Sequence, residues 1–282
     1  KMILFTSVLL LFLIFNLEIK SQNRTALSKD GTKISYYTEG SGEPALVFIH
    51  GWSCDKTYWS GQVKTFSRQY QVVTVDLAGH GESGLERINY TMQSFGEDVA
   101  SVVNQLNLKK VILIGHSMGG AVIIEAADLL KGKVIGLIGA DTFQNLGETF
   151  TEEQITQFLN PFKENFVETA KGFVKSMFPP DADQELVNKI ADDMSSAPPE
   201  VAISAMKNLF GYDSAAALKK LDVPIISINC EMYPVKTEEN RKLVKYFEVK
   251  FIKRSGHFVM LDNPKLFNEF LNQSVEELLS VK

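Results

Sequence analysis

Short apolar runs recur along the chain, separated by stretches with helical spacing. Residues 45–50, 72–76, 111–114, 134–140, 224–228 and 249–252 are almost wholly apolar and rich in β-branched side chains. That is the composition of strands buried on both faces. Residues 34–38 alternate instead, and end at Glu39-Gly40-Ser41-Gly42, which reads as a hairpin-like turn. Between the runs, Met92, Phe95, Val99, Val102, Val103 and Leu106 keep a helical period behind Thr91, a residue suited to an N-cap. Strands alternating with helices predict an α/β fold, with a mostly parallel sheet covered by helices on both sides. In open sheets of this kind ligands bind at the carboxyl ends of the strands.

The alternation lapses between about residues 143 and 214. This stretch offers amphipathic segments at 152–159, 162–177, 184–194 and 199–210, punctuated by Pro179-Pro180 and Pro198-Pro199. It reads as a helical insertion between two strands. Its many Phe and Met residues predict packing onto the sheet domain, with a minority lining a pocket beneath. The expected organisation is therefore a leader at 1–22, a core in two parts at 23–142 and 215–282, and a helical cap at 143–214.

The leader rests on the apolar stretch 2–15, followed by Asn16, Glu18, Lys20, Ser21 and Gln22. Such a stretch matches a signal-peptide core and is short for a membrane span, which needs ~20 apolar residues. The expectation is export, with cleavage after Ser21 or Gln22, or membrane anchoring if the leader is retained. The remaining composition, 45% hydrophobic and 22% charged over 282 residues, is that of one large globular domain. A net charge of -5 with no long basic cluster argues against nucleic acid as a partner. The two cysteines, Cys54 and Cys230, do not make a disulfide framework, and read as small buried thiols.

The candidate chemistry lies where the run 111–114 meets Gly115-His116-Ser117-Met118-Gly119. A strand leading through G-x-S-x-G into a helix is the context of a nucleophile elbow. There a serine sits on a sharp turn and glycines remove Cβ atoms that would clash. A serine hydroxyl needs a base to take its proton, and the chain has four histidines. His50 and His80 sit in turns that read as structural, and His116 adjoins the serine but points elsewhere. His257, in Ser255-Gly256-His257-Phe258, is the only histidine beyond Ser117, as the order Ser…acid…His demands.

His50-Gly51-Trp52, Asp76-Leu77-Ala78-Gly79-His80-Gly81, Gly115-His116-Ser117-Met118-Gly119-Gly120 and Gly256-His257 occur in the order seen in the α/β-hydrolase family. From about Arg24 onward the chain resembles lidded, cofactor-free members of its esterase, C–C hydrolase and haloperoxidase-like group. The resemblance implies an eight-stranded, mostly parallel sheet capped over the serine. It makes Ser117 the nucleophile and His257 the base, with backbone N–H groups of Met118 and Trp52 forming the oxyanion hole. The family's usual acid position, in the loop after residues 224–228, here holds Tyr233. Some relatives carry the acid at the end of the preceding strand, which is Asp141; Glu231 in the altered loop is the alternative.

No metal cluster, dinucleotide fingerprint or phosphate loop appears, so no cofactor is expected. The expected partner is a small-molecule ester-like substrate, and oligomeric state is left open. The resulting expectation is an exported serine hydrolase of carboxylic esters. C–C, lactone or thioester hydrolysis and perhydrolysis use the same triad, and a ligand-binding or signalling member of the fold would keep its shape without turnover.

Overall fold

The computed structural model describes residues 22–280, so the expected leader lies outside the described residues except for Gln22. Eight strands form one sheet: β1 (Gln22–Leu27), β2 (Lys33–Glu39), β3 (Ala45–Ile49), β4 (Val72–Val75), β5 (Val111–His116), β6 (Val134–Ala140), β7 (Ile225–Cys230) and β8 (Phe247–Ile252). Their order is β1-β2-β4-β3-β5-β6-β7-β8. The pairs β1/β2 and β2/β4 are antiparallel, and all other neighbours are parallel. The eight-stranded, mostly parallel sheet is the one the family resemblance implies.

Two local features differ. Glu39-Gly40-Ser41-Gly42 does not close a hairpin, because β2 pairs with β1 and β4 and not with β3. Gly40 instead lets the chain cross tightly over the end of a neighbouring helix. A Cβ there would lie 2.2 Å from the Ser67 carbonyl oxygen and 2.4 Å from that of Tyr70. The first strand, β1, begins at the last residue assigned to the leader. Its residues Asn23, Arg24 and Thr25 are exposed, as an edge strand allows, so it carries no apolar run.

Helices α1 (Ser60–Phe66), α2 (Met92–Gln105) and α3 (Met118–Leu129) follow β3, β4 and β5. Thr91 caps α2 through a capping box, its side chain accepting from the Ser94 N–H at 3.0 Å. Between β6 and β7 run α4 (Glu152–Glu164), α5 (Phe166–Lys175), α6 (Gln184–Ser195) and α7 (Pro199–Phe210), followed by the short α8 (Ser214–Leu218). The chain closes with α9 (Thr237–Asn240), α10 (Val259–Asp262) and α11 (Pro264–Ser280).

Helices α2 and α3 cover one face of the sheet, and α1 and α11 the other. The central strands β3 and β5 are buried throughout. Each fully buried Val, Leu or Ile side chain there contributes ~1.5–3 kcal/mol. Trp59, wholly buried, ties the α1 side together, its ring centroid 5.0 Å from Phe48 on β3 and 6.2 Å from Phe267 on α11. Among the described residues no helix is long and apolar enough to cross a membrane. Cys54 and Cys230 are both free and buried.

This register matters for function. Ile49 pairs with Gly115, His116 with Ala140, and Ala140 with Ile228. The carboxyl ends of β3, β5, β6 and β7 are therefore level, and the loops leaving them open side by side.

Candidate active site

Ser117 sits between the end of β5 and the start of α3 with φ 51° and ψ −118°. Positive φ is strained for a residue with a Cβ, and such strain persists only where the surroundings enforce it. The Ser117 N–H donates to the Ala140 carbonyl at 3.1 Å, and its own carbonyl accepts from the Gly120 N–H at 2.8 Å. Glycines make the turn sterically possible. A Cβ at Gly115 would lie 2.3 Å from the Gly119 carbonyl oxygen, and one at Gly119 only 2.7 Å from that of Ile49. Met118 opens α3, so its N–H is one of the helix's first donors and has no partner within the helix.

His257 lies in the loop after β8, and three of its polar groups are engaged. Its Nδ1–H faces Asp141 Oδ2 at 2.5 Å. Its backbone N–H donates to the Met177 carbonyl at 2.9 Å, and its carbonyl accepts from His116 Nε2–H at 3.1 Å. Nε2 is the ring nitrogen left over, and Ser117 and His257 line one cavity of about 490 Å³. Asp141, at the end of β6, is wholly buried with φ 44°. Its Oδ1 accepts from the Cys230 N–H at 2.8 Å, so each carboxylate oxygen has one donor.

Of the two candidate acids, the structure therefore brings Asp141 to His257, while Glu231 is exposed. Tyr233, at the family's usual acid position, contributes its ring to the wall instead. It stands edge-on to His257 with centroids 6.2 Å apart. Burial, and then the Asp141 charge, push its hydroxyl above the ordinary tyrosine range. The same two causes push the Cys230 thiol up to about 12.

The other histidines are kept neutral by burial. His50 is held down to about 4, and its Nε2 accepts from the Leu77 N–H at 3.1 Å. Burial, aided by His50, holds His80 at about 3; its Nδ1–H donates to the Ala78 carbonyl. His116 is pushed well below the usual histidine value by burial and then by His257. Asp76 and Asp262 serve their own loops: Asp76 takes Lys56 and the Glu82 N–H, and Asp262 takes the Ser255 hydroxyl and Gly256 N–H.

Trp52 follows His50-Gly51 at the end of β3. Its indole N–H donates to the Ala202 carbonyl on α7 at 2.7 Å, and its ring meets Phe162, Phe166 and Phe173 edge-on. The side chain thus both packs against the insertion and lines the cavity. Met177, Met194, Met206, Leu209 and Phe210 bring the insertion over Ser117 as the apolar wall. Among the described residues no three His, Cys, Asp or Glu side chains converge as a metal group.

Sequence reasoning missed a polar stretch of wall, Gln144 and Asn145 in the loop after β6. The one available signal was their place just past Asp141 at a strand's carboxyl end. It also missed the Met177 carbonyl, since backbone partners leave no trace in residue type.

Comparison with known proteins fits this architecture. The model of the alpha/beta hydrolase family matches residues 46–270, and the chain belongs to that family. It is 24% identical over 242 residues to a karrikin insensitive 2 receptor of Petunia hybrida, spanning 80% of this chain and 88% of the receptor. It is 29% identical over 211 residues to the pimeloyl-[acyl-carrier protein] methyl ester esterase of Aliivibrio salmonicida, spanning 72% of this chain and 77% of the esterase. Among solved structures, a bromoperoxidase from Bacillus anthracis superposes with a TM-score of 0.80 at 22% identity, covering 90% of this chain and 100% of the other.

Proposed function

We propose that this chain is an exported serine hydrolase that cleaves carboxylic esters of small to medium, largely apolar substrates. Ser117 is the nucleophile, His257 the base and Asp141 the acid. The observation that carries the reading is the Asp141–His257 contact of 2.5 Å beside a strained serine on the same cavity. His257 Nε2 takes the Ser117 proton as Oγ bonds to the ester carbonyl carbon. The backbone N–H groups of Met118 and Trp52 hold the oxygen as it becomes negative, a role whose loss typically costs ~10²–10³ in turnover. The intermediate collapses, the C–O bond to the alcohol breaks, and His257 returns the proton to that alcohol. Water, deprotonated by His257, then attacks the acyl-enzyme and frees the acid and Ser117. Asp141 orients the imidazole and stabilises its cation.

Export is supported by the apolar stretch 2–15, and the helical insertion acts as a cap over the serine. Lactone and thioester substrates would share the acyl-enzyme route, with the C–O or C–S bond breaking and the proton passing to that oxygen or sulfur. A C–C substrate would break its C–C bond with the proton passing to the leaving carbon. A second reading, a ligand-binding protein with little turnover, is favoured by the similarity to a plant receptor.

A fluorophosphonate probe separates the two. The hydrolase reading expects covalent labelling of the wild type and loss of both label and ester hydrolysis in Ser117→Ala. Tight ligand binding that survives in Ser117→Ala, with no labelling of the wild type, would establish the binder.

A further inference from the structure

The loop after β6 is held more firmly than Asp141 alone requires. Asp141 is already fixed by its own N–H to the Ile228 carbonyl and by the Cys230 N–H on its carboxylate. Yet the clamp continues for five more residues. The Thr142 carbonyl accepts from Ser227 Oγ at 2.7 Å and Asn229 Nδ2 at 3.0 Å. Asn240, wholly buried on α9, donates to the Phe143 carbonyl at 2.8 Å and accepts from the Leu146 N–H at 2.9 Å. The Lys236 N–H takes the Gln144 carbonyl at 2.7 Å. Three buried polar side chains thus immobilise a backbone stretch whose residues Gln144 and Asn145 line the cavity.

The carboxamides of these two residues are themselves open. Gln144 and Asn145 are half-buried and line the same cavity as Ser117. Among the described residues the Gln144 amide has no hydrogen-bond partner. Asn145 uses Oδ1 to accept from the Gly147 N–H at 3.3 Å, which leaves its Nδ2 donors free. The remaining charges at this end, Lys236 and Glu148, are exposed and of opposite sign, so they do not select for an ion. Sheet order separates this end from the apolar one. The loops after β6 and β7 lie on one side of β5, and Trp52 and Cys54, after β3, on the other.

We propose that Gln144 and Asn145 form a polar subsite, and that the substrate is an amphiphilic ester or lactone carrying a neutral amide on one arm. The inference rests on the serine-hydrolase reading for its chemistry, though not for its binding. An amide N–H donates to Gln144 Oε1 and its carbonyl accepts from Asn145 Nδ2, while the other arm fills the Met- and Phe-lined end. A rigid loop adds to affinity because little motion is lost on binding.

The test compares an ester bearing an N-alkyl amide with its isostere in which methylenes replace the amide. The pair is made twice, with the amide on the acyl arm and on the alcohol arm. Two hydrogen bonds of ~1 kcal/mol each predict that one arm shows a preference of roughly tenfold or more in kcat/KM. Asn145→Asp keeps the acceptor for the Gly147 N–H, hence the loop, but removes the donor. The ratio between amide and isostere should then fall by about fivefold or more, the worth of one of the two hydrogen bonds. An unchanged ratio in Asn145→Asp, or no amide preference on either arm of the wild type, overturns the subsite. Calorimetry with a non-hydrolysable amide ether, wild type against Asn145→Asp, gives the same answer without turnover. If Ser117 does not react with fluorophosphonate while this binding difference persists, the hydrolase reading fails and the subsite stands.

Discussion

Two of the buried carboxylates in this molecule, Asp98 and Asp141, each face a nitrogen group, and they have opposite characters. Asp98, on α2, takes both terminal nitrogens of Arg87, at 2.6 and 3.0 Å, the Ser28 hydroxyl at 2.6 Å and the Ala78 N–H at 3.0 Å. Arg87 also reaches Asp30 at 2.8 Å. Every oxygen is saturated, the partner cannot lose its proton, and neither group lines the Ser117 cavity. Asp141 has one donor per oxygen, its partner is a titratable imidazole, and that imidazole borders open space beside Ser117. Burial and pairing are common to both. What separates a brace from a candidate catalytic pair is a partner whose proton can move and one unsatisfied side.

The sharpest break in the comparison is at Asp141. Asp141→Asn should reduce turnover by about 10⁴, the scale for a triad whose histidine is held in the wrong tautomer. Glu231→Gln should stay close to the wild type; the reverse result, read from kcat on any accepted ester, would move the acid to the loop after β7. At the other pair, Arg87→Met leaves Asp98 buried without its cation and should cost ~3–5 kcal/mol of stability in urea unfolding. Ester turnover per folded molecule should change little, because Arg87 is absent from the cavity. A variant that unfolds normally but loses activity would erase the distinction.

The smallest effect concerns His116. Burial keeps it neutral, and its Nδ1 is buried with no partner among the described residues, so its single proton is the Nε2–H that holds the His257 carbonyl. His116→Leu should lower kcat by about tenfold, equivalent to one hydrogen bond of ~1.4 kcal/mol. His116→Gln, which restores a donor at nearly the same reach, should recover most of it. Equal losses in both variants would assign His116 to packing alone.

The reach of the sequence follows the same physics. Strands β3 and β5 were legible because a strand covered on both faces must be apolar throughout, whereas β1, exposed at the edge, shows nothing of the kind. Ser117 and His257 were legible from motif context and chain order. Asp141 is favoured over Glu231 only through the family resemblance, since both follow a strand near the right point. The choice depends on Asp141's left-handed turn and on the Cys230 N–H, which lies 89 residues away. The clamp on 142–146 is equally invisible: Asn240 is an ordinary polar residue on a short helix until the fold carries it across 94 residues to Leu146.

The helical insertion is hydrogen-bonded to both loops that flank Ser117: Ala202 to the Trp52 indole and Met177 to the His257 N–H. Phe178, beside Met177, stacks on Phe258 with the rings 13° from parallel. A segment so attached is a keystone more than a hinged door. Exchanging it for one of another length would redirect the serine's two neighbours at the same time as it reshaped the pocket. Diversification of this chain's substrate range is therefore channelled toward side-chain changes on α5 to α7, with the backbone at Met177 and Ala202 staying where it is.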